Sequence, residues 1–296
     1  MRAEGSRIAV PSDTGGETTT AIYNLSADDL SIDPSVARTA ADPYAAAYQA
    51  AKPYNHICID NFLPVAILEK VETDLRSLPD SESSFNRDQE RLKTAYSPDR
   101  LPVYTKSLFQ ALNSRPFLFF LETLTGIKGL IPDPYFLGAG IHRVANGGHL
   151  DIHADFNLHG PMQIERRLNV LIYLNRDWRE EWGGSFEVWD KAMTKKEASF
   201  VPIFNRMVCF STASDTFHGN PQPVNHPDGV PRLSIALYYY TATWGPHRKS
   251  HTTLFRPRPG TVDKPDGYVM RREVLGDLIP PVLYRRIIGP LSRLGF

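Results

Sequence analysis

A chain of 296 residues, 42% of them hydrophobic, is long enough for one large domain or for one domain with extensions. Its 33 basic and 33 acidic residues cancel, so no global field favours nucleic acid or an anionic membrane as a partner. No run of about 18 apolar residues is present and the N-terminus lacks the pattern of a signal peptide, so no spanning helix is expected and a cytoplasmic protein is. The two cysteines, Cys58 and Cys209, lie in apolar strand-like runs and read as buried reduced thiols.

Residues 1–40 are rich in Ser, Thr, Gly, Asp and Ala and read as a mobile leader. A helical support region of the same domain is expected over 41–135. Within it, residues 54–60 read as a first buried strand. Asn61-Phe62-Leu63-Pro64 then turns the chain into a helix running to about Leu78, with Val65, Leu68, Val71 and Leu75 as its apolar stripe. Residues 80–100 are charged and polar and read as a loop covering a site. The next helical stretch, Tyr104 to about Leu124, breaks near Ser114-Arg115-Pro116, where Ser114 can cap a second helix, and Gly126 ends it.

From Phe136 the apolar period changes to two. Strands are expected at 136–145, 149–156, 167–175, 185–189, 205–211 and 232–242, separated by turns such as Asn146-Gly147-Gly148 and Gly183-Gly184. Helices followed by many short strands predict an α+β, mainly β, fold. Its core over 136–245 is a double-stranded β-helix (jelly roll, cupin-like) with supporting N-terminal helices. Residues 246–296 form a basic, Pro-rich C-terminal extension with weakly helical segments at 267–278 and 281–294. Packing of its end against the barrel or a sister subunit, giving a homo-oligomer, is preferred to a membrane-surface role, because Gly289-Pro290 interrupts any helix.

One stretch organises the barrel: His149-Leu150-Asp151-Ile152-His153-Ala154-Asp155-Phe156-Asn157. On a strand, His149, Asp151, His153 and Asp155 share one face. Imidazoles and carboxylates in a row are poor core material, but two imidazoles and one carboxylate make the facial triad of a non-haem iron(II) site. A third ligand must come from downstream. Arg206-Met207-Val208-Cys209-Phe210-Ser211 reads as a strand that leads to His218-Gly219-Asn220-Pro221, and Arg232 then opens Leu233-Ser234-Ile235-Ala236-Leu237-Tyr238-Tyr239-Tyr240. Arg232 and Ser234 share one face of that strand. An inward arginine needs a buried anion, and a dicarboxylic co-substrate provides one.

Together with Gly147-Gly148, Arg166-Arg167-Leu168-Asn169-Val170-Leu171-Ile172-Tyr173-Leu174-Asn175-Arg176-Asp177-Trp178 and Gly183-Gly184, this constellation resembles the iron(II)/2-oxoglutarate-dependent oxygenase superfamily, in particular its prolyl-hydroxylase-like branch. The resemblance implies iron(II), 2-oxoglutarate and dioxygen, with ascorbate as a supporting reductant. It implies hydroxylation of an unactivated C–H bond with release of succinate and carbon dioxide. His153, Asp155 and His218 are the implied catalytic metal ligands. His149 with Asp151 is the alternative register, and His226 is a rival third ligand. Arg232, Ser234, Tyr173 and Asn169 are the implied co-substrate contacts. Similar enzymes often carry a tyrosine where this chain has Leu150, so the carboxylate contacts are open to difference. Halogenating relatives replace the metal carboxylate by a small residue, so Asp155 favours hydroxylation.

A small-molecule substrate is preferred to a peptide, with Arg143, His149, Asn157 and Trp189 as candidate contacts. Arg166 and Arg167 are expected to pair with Glu165 rather than with an acidic substrate. The competing readings are a hydroxylase of prolyl or other peptidyl side chains and a cupin-like metal-binding module without turnover, against which Arg232 argues.

Overall fold

A computed structural model describes residues 20–76, 78, 83–245 and 249–267. The described chain opens with two short helices, α1 (Pro34–Thr39) and α2 (Asp42–Ala50). Asp33 caps α1 by accepting the amides of Ser35 at 2.7 Å and Val36 at 3.4 Å, with Pro34 in the first turn. Strand β1 (His56–Ile59) and helix α3 (Val65–Arg76) follow, and α3 buries Ile67, Leu68 and Val71. Next come a hairpin, β2 (Ser83–Arg87) and β3 (Glu90–Tyr96), and two helices, α4 (Val103–Leu112) and α5 (Arg115–Thr125). Helix α5 stops at Gly126, whose φ of 74° is a conformation that glycine adopts without strain.

The remaining strands are β4 (Ile131–Pro132), β5 (Gly140–Ala154), β6 (Leu158–His159), β7 (Ile164–Tyr173), β8 (Phe186–Trp189), β9 (Lys196–Phe200), β10 (Met207–Ser211), β11 (Phe217–Asn220), β12 (Arg232–Thr241) and β13 (Leu254–Phe255). They pair antiparallel in the order β1-β10-β7-β12-β5-β11-β8-β9. The fold is α+β, mainly β, and forms the expected double-stranded β-helix. Strand β5 joins its two halves. The first part of β5 pairs with β12, and its far end pairs with β11.

Period-two alternation in the central strands separates two cores. Leu168, Val170, Ile172, Ile235 and Leu237 face outward and pack with buried residues of α3, α4 and α5 in the main core. Tyr173 faces inward with Phe186, Val208 and Phe210. Cys209 is buried and Cys58 half-buried, and neither is in a disulfide.

Four sequence expectations change. The described part of 80–100 is not a loop: β2 and β3, over 83–96, form a hairpin, and β3 pairs with β5. Their charged side chains are compatible with a strand because the hairpin lies at the sheet edge, where polar residues protect against further pairing. The turn placed at Asn146-Gly147-Gly148 is a bend inside one continuous strand. At Gly148 a Cβ would lie 2.8 Å from the Arg91 carbonyl oxygen, so glycine lets β3 pass close by. Ser114 precedes α5 in extended conformation, but its hydroxyl donates to the Ala111 carbonyl at 2.6 Å instead of capping α5.

Finally, the described part of the leader, residues 20–40, is packed. Tyr23 is fully buried, with ring centroids 5.0 Å from Phe117 and 5.4 Å from Phe120, and its amide donates to the Phe62 carbonyl at 2.8 Å. The small and polar composition that suggested mobility hides this anchoring ring. The helices expected at 267–278 and 281–294 lie outside the described residues, except for residue 267. No helix of the described residues is long and apolar enough to cross a membrane.

Tyr23→Ala should therefore destabilise the protein by roughly 3–5 kcal/mol, the cost of deleting a buried aromatic ring, as read from the denaturant midpoint. A change within about 0.5 kcal/mol, typical of exposed positions, would return residues 20–40 to the status of a leader.

Candidate metal centre and its cavity

The site is built by one extra residue in β5. Across the β5–β11 pair, His218 faces His153 while Asn220 faces Leu150, so β5 takes three steps where β11 takes two. Such a bulge re-aims side chains. His142, Val144 and Leu150 line the internal cavity before the bulge, and His153 and Asp155 line it afterwards. Gly219 sits opposite the bulge. A Cβ there would meet the carbonyl oxygens of Asp151 at 2.7 Å and Leu150 at 2.8 Å, so no other residue type fits this approach.

His153, Asp155 and His218 converge, with one donor atom from each lying within 4.8 Å of the others. His153 Nε2 is 3.6 Å from Asp155 Oδ1, and His218 Nε2 is 3.3 Å from Asp155 Oδ2. On the other side of each ring, His153 Nδ1 donates to the Asp151 carbonyl at 2.8 Å and His218 Nδ1 to the Thr216 carbonyl at 3.1 Å. A carbonyl can only accept, so both protons sit on Nδ1 and both Nε2 lone pairs point at the shared space. Two nitrogens and one carboxylate oxygen with oriented lone pairs fit an octahedral iron(II) centre with open positions.

Asp155 is held by two partners. Arg166 Nη2 lies 3.2 Å from Oδ2, and Asn169 Nδ2 donates to the same oxygen at 2.7 Å, so Oδ1 is left without either donor. Arg166 is buried between the rings of Tyr238 at 3.6 Å and Phe156 at 4.4 Å. Burial would raise the Asp155 carboxyl, but Arg166 and His218 outweigh it and hold it well below the usual carboxylate range. For His218, burial lowers the imidazole despite the opposing pull of Asp155, which keeps it neutral and able to ligate.

Arg232 and Ser234 line the same cavity. Arg232 Nε donates to the Gly184 carbonyl at 2.8 Å and Nη2 to the Tyr173 hydroxyl at 3.3 Å. A Cβ at Gly184 would lie 2.9 Å from Arg232 Cδ, so the glycine makes room for the stem. Arg232 is 4% exposed and shows no carboxylate partner among the described residues, leaving part of its fork available to a buried anion. Burial lowers its pKa from the ordinary value, opposed by Tyr173.

The other sequence candidates are distributed differently. Tyr173 is not among the cavity-lining residues; it touches Arg232. Asn169 lines the cavity, but its amide is committed, because its Oδ1 also accepts from Arg166 Nε at 3.0 Å and Nη2 at 2.8 Å. Arg143 faces a separate cleft on the outer side of β5, since the bulge gives it the opposite parity from His153. The same shift takes His149 off the cavity. Its Nε2 contacts the Asp88 carbonyl at 3.2 Å and lies 3.5 Å from Asp151 Oδ1.

Asn157 does not line the cavity either. It bridges to the returning chain, donating to the Lys249 carbonyl at 3.0 Å and accepting the His251 amide at 3.0 Å. Trp189 packs with Ile152, Ala154 and Phe217 and donates to Glu187 Oε2 at 2.9 Å. His226 lies in the outer cleft with Arg143. Arg166 pairs with Asp155 rather than with Glu165, and Arg167 donates to the Thr241 hydroxyl at 3.3 Å.

Sequence reading gave Arg166 the wrong partner and assigned no role to Lys93, His142 and Asn220. A second bulge explains Arg166. Opposite the Tyr239–Tyr240 step, β7 moves two residues, from Leu168 to Arg166, which turns Arg166 to the inside. Lys93, His142 and Asn220 line the cavity from β3, β5 and β11. Burial, with Lys93 nearby, pushes the His142 imidazole well below its ordinary value.

Residues 139–240 match the model of the 2OG-Fe(II) oxygenase superfamily. No curated protein matches the chain. Among solved structures the chain is similar to a prolyl hydroxylase from Trichoplax adhaerens in complex with a hypoxia inducible factor oxygen degradation domain peptide fragment, at 18% identity, covering 67% of this chain and 88% of that one, with a TM-score of 0.49. It is similar to a Pseudomonas putida prolyl-4-hydroxylase at 17% identity, 67% and 98% coverage and a TM-score of 0.45. It is also similar to HygX from Streptomyces hygroscopicus with nickel and 2-oxoglutarate bound, at 12% identity, 66% and 86% coverage and a TM-score of 0.45.

Because Arg166 is the buried counter-charge of Asp155, Arg166→Leu should cost the metal-free protein roughly 3–5 kcal/mol in denaturant unfolding. A loss below about 1 kcal/mol, the range of exposed pairs, would show that Asp155 does not depend on it.

Proposed function

We propose that this 2OG-Fe(II) oxygenase, whose superfamily domain spans residues 139–240, hydroxylates an unactivated C–H bond of a small-molecule substrate. The cofactors are those of the superfamily, iron(II) and 2-oxoglutarate, with dioxygen as oxidant. Bound together, they supply conversion of C–H to C–OH, coupled to decarboxylation of 2-oxoglutarate to succinate and carbon dioxide. The observation that carries this reading is the convergence of His153, Asp155 and His218 beside a buried arginine in one cavity.

Each residue then has a physical task. His153 and His218 ligate through Nε2, with their tautomers set by main-chain carbonyls. Asp155 ligates while Arg166 and Asn169 hold its Oδ2. Arg232, braced by Tyr173 and Gly184, grips the distal carboxylate of 2-oxoglutarate, with Ser234 beside it. Leu150, Leu171, Phe186 and Phe210 wall the cavity and limit water.

The preference for a small molecule is supported by β3. It pairs with β5 between Ile141 and Leu150, so the strand edge beside the cavity is covered instead of being open to an extended peptide. The second reading, a peptidyl side-chain hydroxylase, is decided by the same assay. Succinate formation is followed with iron(II), 2-oxoglutarate and ascorbate over amino acids, sugars, lipid metabolites and peptides, with products weighed by mass spectrometry. One added oxygen on a free metabolite is expected; one found only on peptides would reverse the preference.

Two substitutions test the residue roles. His153→Ala should abolish iron(II) binding measured anaerobically by calorimetry, and succinate formation with it, while His149→Ala keeps both. The opposite pattern would move the site to the other register. Arg232→Ala should raise the apparent KM for 2-oxoglutarate well over tenfold, because losing a buried charge-assisted pair costs roughly 2–5 kcal/mol. An unchanged KM would make Arg232 structural.

A further inference from the structure

A second cleft, on the outer side of the sheet, is separate from the metal cavity. It has a volume of about 550 Å³, within the roughly 300–1,000 Å³ usual for small-molecule sites. The two linings share no residue, and their members alternate along the same strands. His142 and Val144 face the metal cavity, while Ile141 and Arg143 face the cleft; Arg232 and Ser234 face the cavity, while Leu233 faces the cleft. One layer of sheet therefore separates two concave sites.

We propose that this outer cleft is a second ligand site, which takes a small organic carboxylate with an apolar or aromatic body and grips it through Arg143.

Charge accounting identifies the anion. Arg176 and Glu72 both line the cleft, but they neutralise each other through contacts of 3.1, 3.1 and 2.8 Å, and Glu69 adds a further carboxylate 3.4 Å from Arg176. Arg143 is half-buried and has no acceptor for its guanidinium among the described residues. Arg76 stands at the rim, likewise without an acceptor among the described residues. The cleft thus holds a surplus of fixed positive charge. A carboxylate matches the arginine fork bidentately and offsets the cost of keeping an unpaired guanidinium half out of water.

His226 adds a further donor. Its Nδ1 accepts the Asp228 amide at 3.1 Å, so the proton is on Nε2, which has no acceptor among the described residues. The apolar body is accommodated by Ile141 and Leu233 on the floor, with Trp178 and Tyr96 on the walls. The floor is preformed. Asn175 accepts the Leu233 amide at 2.6 Å and donates to the Leu233 carbonyl at 3.1 Å and the Pro202 carbonyl at 2.7 Å, so little ordering is required of it on binding.

The test is calorimetric titration of the full chain with a panel of aromatic and aliphatic monocarboxylates such as phenylacetate, each paired with its neutral amide. At least one acid should bind tenfold or more tightly than its amide. Arg143→Gln should remove that preference, and Arg232→Ala, which alters only the metal cavity, should keep it. The proposal is overturned if no acid outbinds its amide, if the preference survives in Arg143→Gln, or if Arg232→Ala abolishes it, which would place the ligand in the metal cavity. The acid–amide comparison and the Arg232→Ala control decide the matter even if Arg143→Gln does not fold. None of these readouts depends on turnover, so the failure of this site and of the oxygenase reading are separable.

Discussion

Everything at the metal centre depends on a single added residue in β5. Without it, strict alternation would direct His149 and Asp151, or Ile152 and Ala154, into the cavity, and His153 could not stand directly across from His218. The bulge is tolerated because the facing residue is Gly219, which lets two carbonyl oxygens approach to distances no side chain allows. The second bulge, in β7 opposite Tyr239 and Tyr240, turns Arg166 inward to meet the carboxylate that the first one delivers. Two local breaks in period-two order thus cooperate to assemble one ion pair.

That ion pair sets the electrostatic character of the cavity. A carboxylate 12% exposed with no counter-charge would take up a proton and cease to be a good ligand. Arg166 prevents this while itself sheltered by two aromatic faces, which supply attraction and exclude water at once. Asn169 closes the network by accepting from Arg166 and donating to Asp155, so its amide ties the guanidinium to Oδ2 and leaves Oδ1 facing the shared space.

Much of this was legible in the residues. The change of period near Phe136, the Pro64 and Gly126 signals, and the inward face of Arg232 and Ser234 all depend on local chemistry, and local chemistry is what sequence records. The clustering of His153, Asp155 and His218 was legible too, with the choice among registers resting on the family resemblance and not on alternation. Parity across a bulge was not, because an inserted residue leaves no mark in composition. Arg143 and His149 were therefore assigned to the wrong face and Arg166 to the wrong partner. The β2–β3 hairpin was missed for a different reason: at a sheet edge the backbone pairs while the side chains stay polar, so no apolar alternation announces it. The four residues of β11 were too few and too polar to read as a strand, yet they align the two histidines.

The acceptors that orient the two imidazoles share an unusual property: each is the main-chain carbonyl two positions earlier on the histidine's own segment, Asp151 for His153 and Thr216 for His218. A side-chain orienter can be deleted by one codon change, whereas a carbonyl belongs to every residue type. Proton placement on these rings is therefore insulated from mutation at positions 151 and 216 so long as the strand path is kept. Drift in sequence can remodel the walls of the cavity, and with them the choice of substrate, while ring orientation is inherited with the backbone.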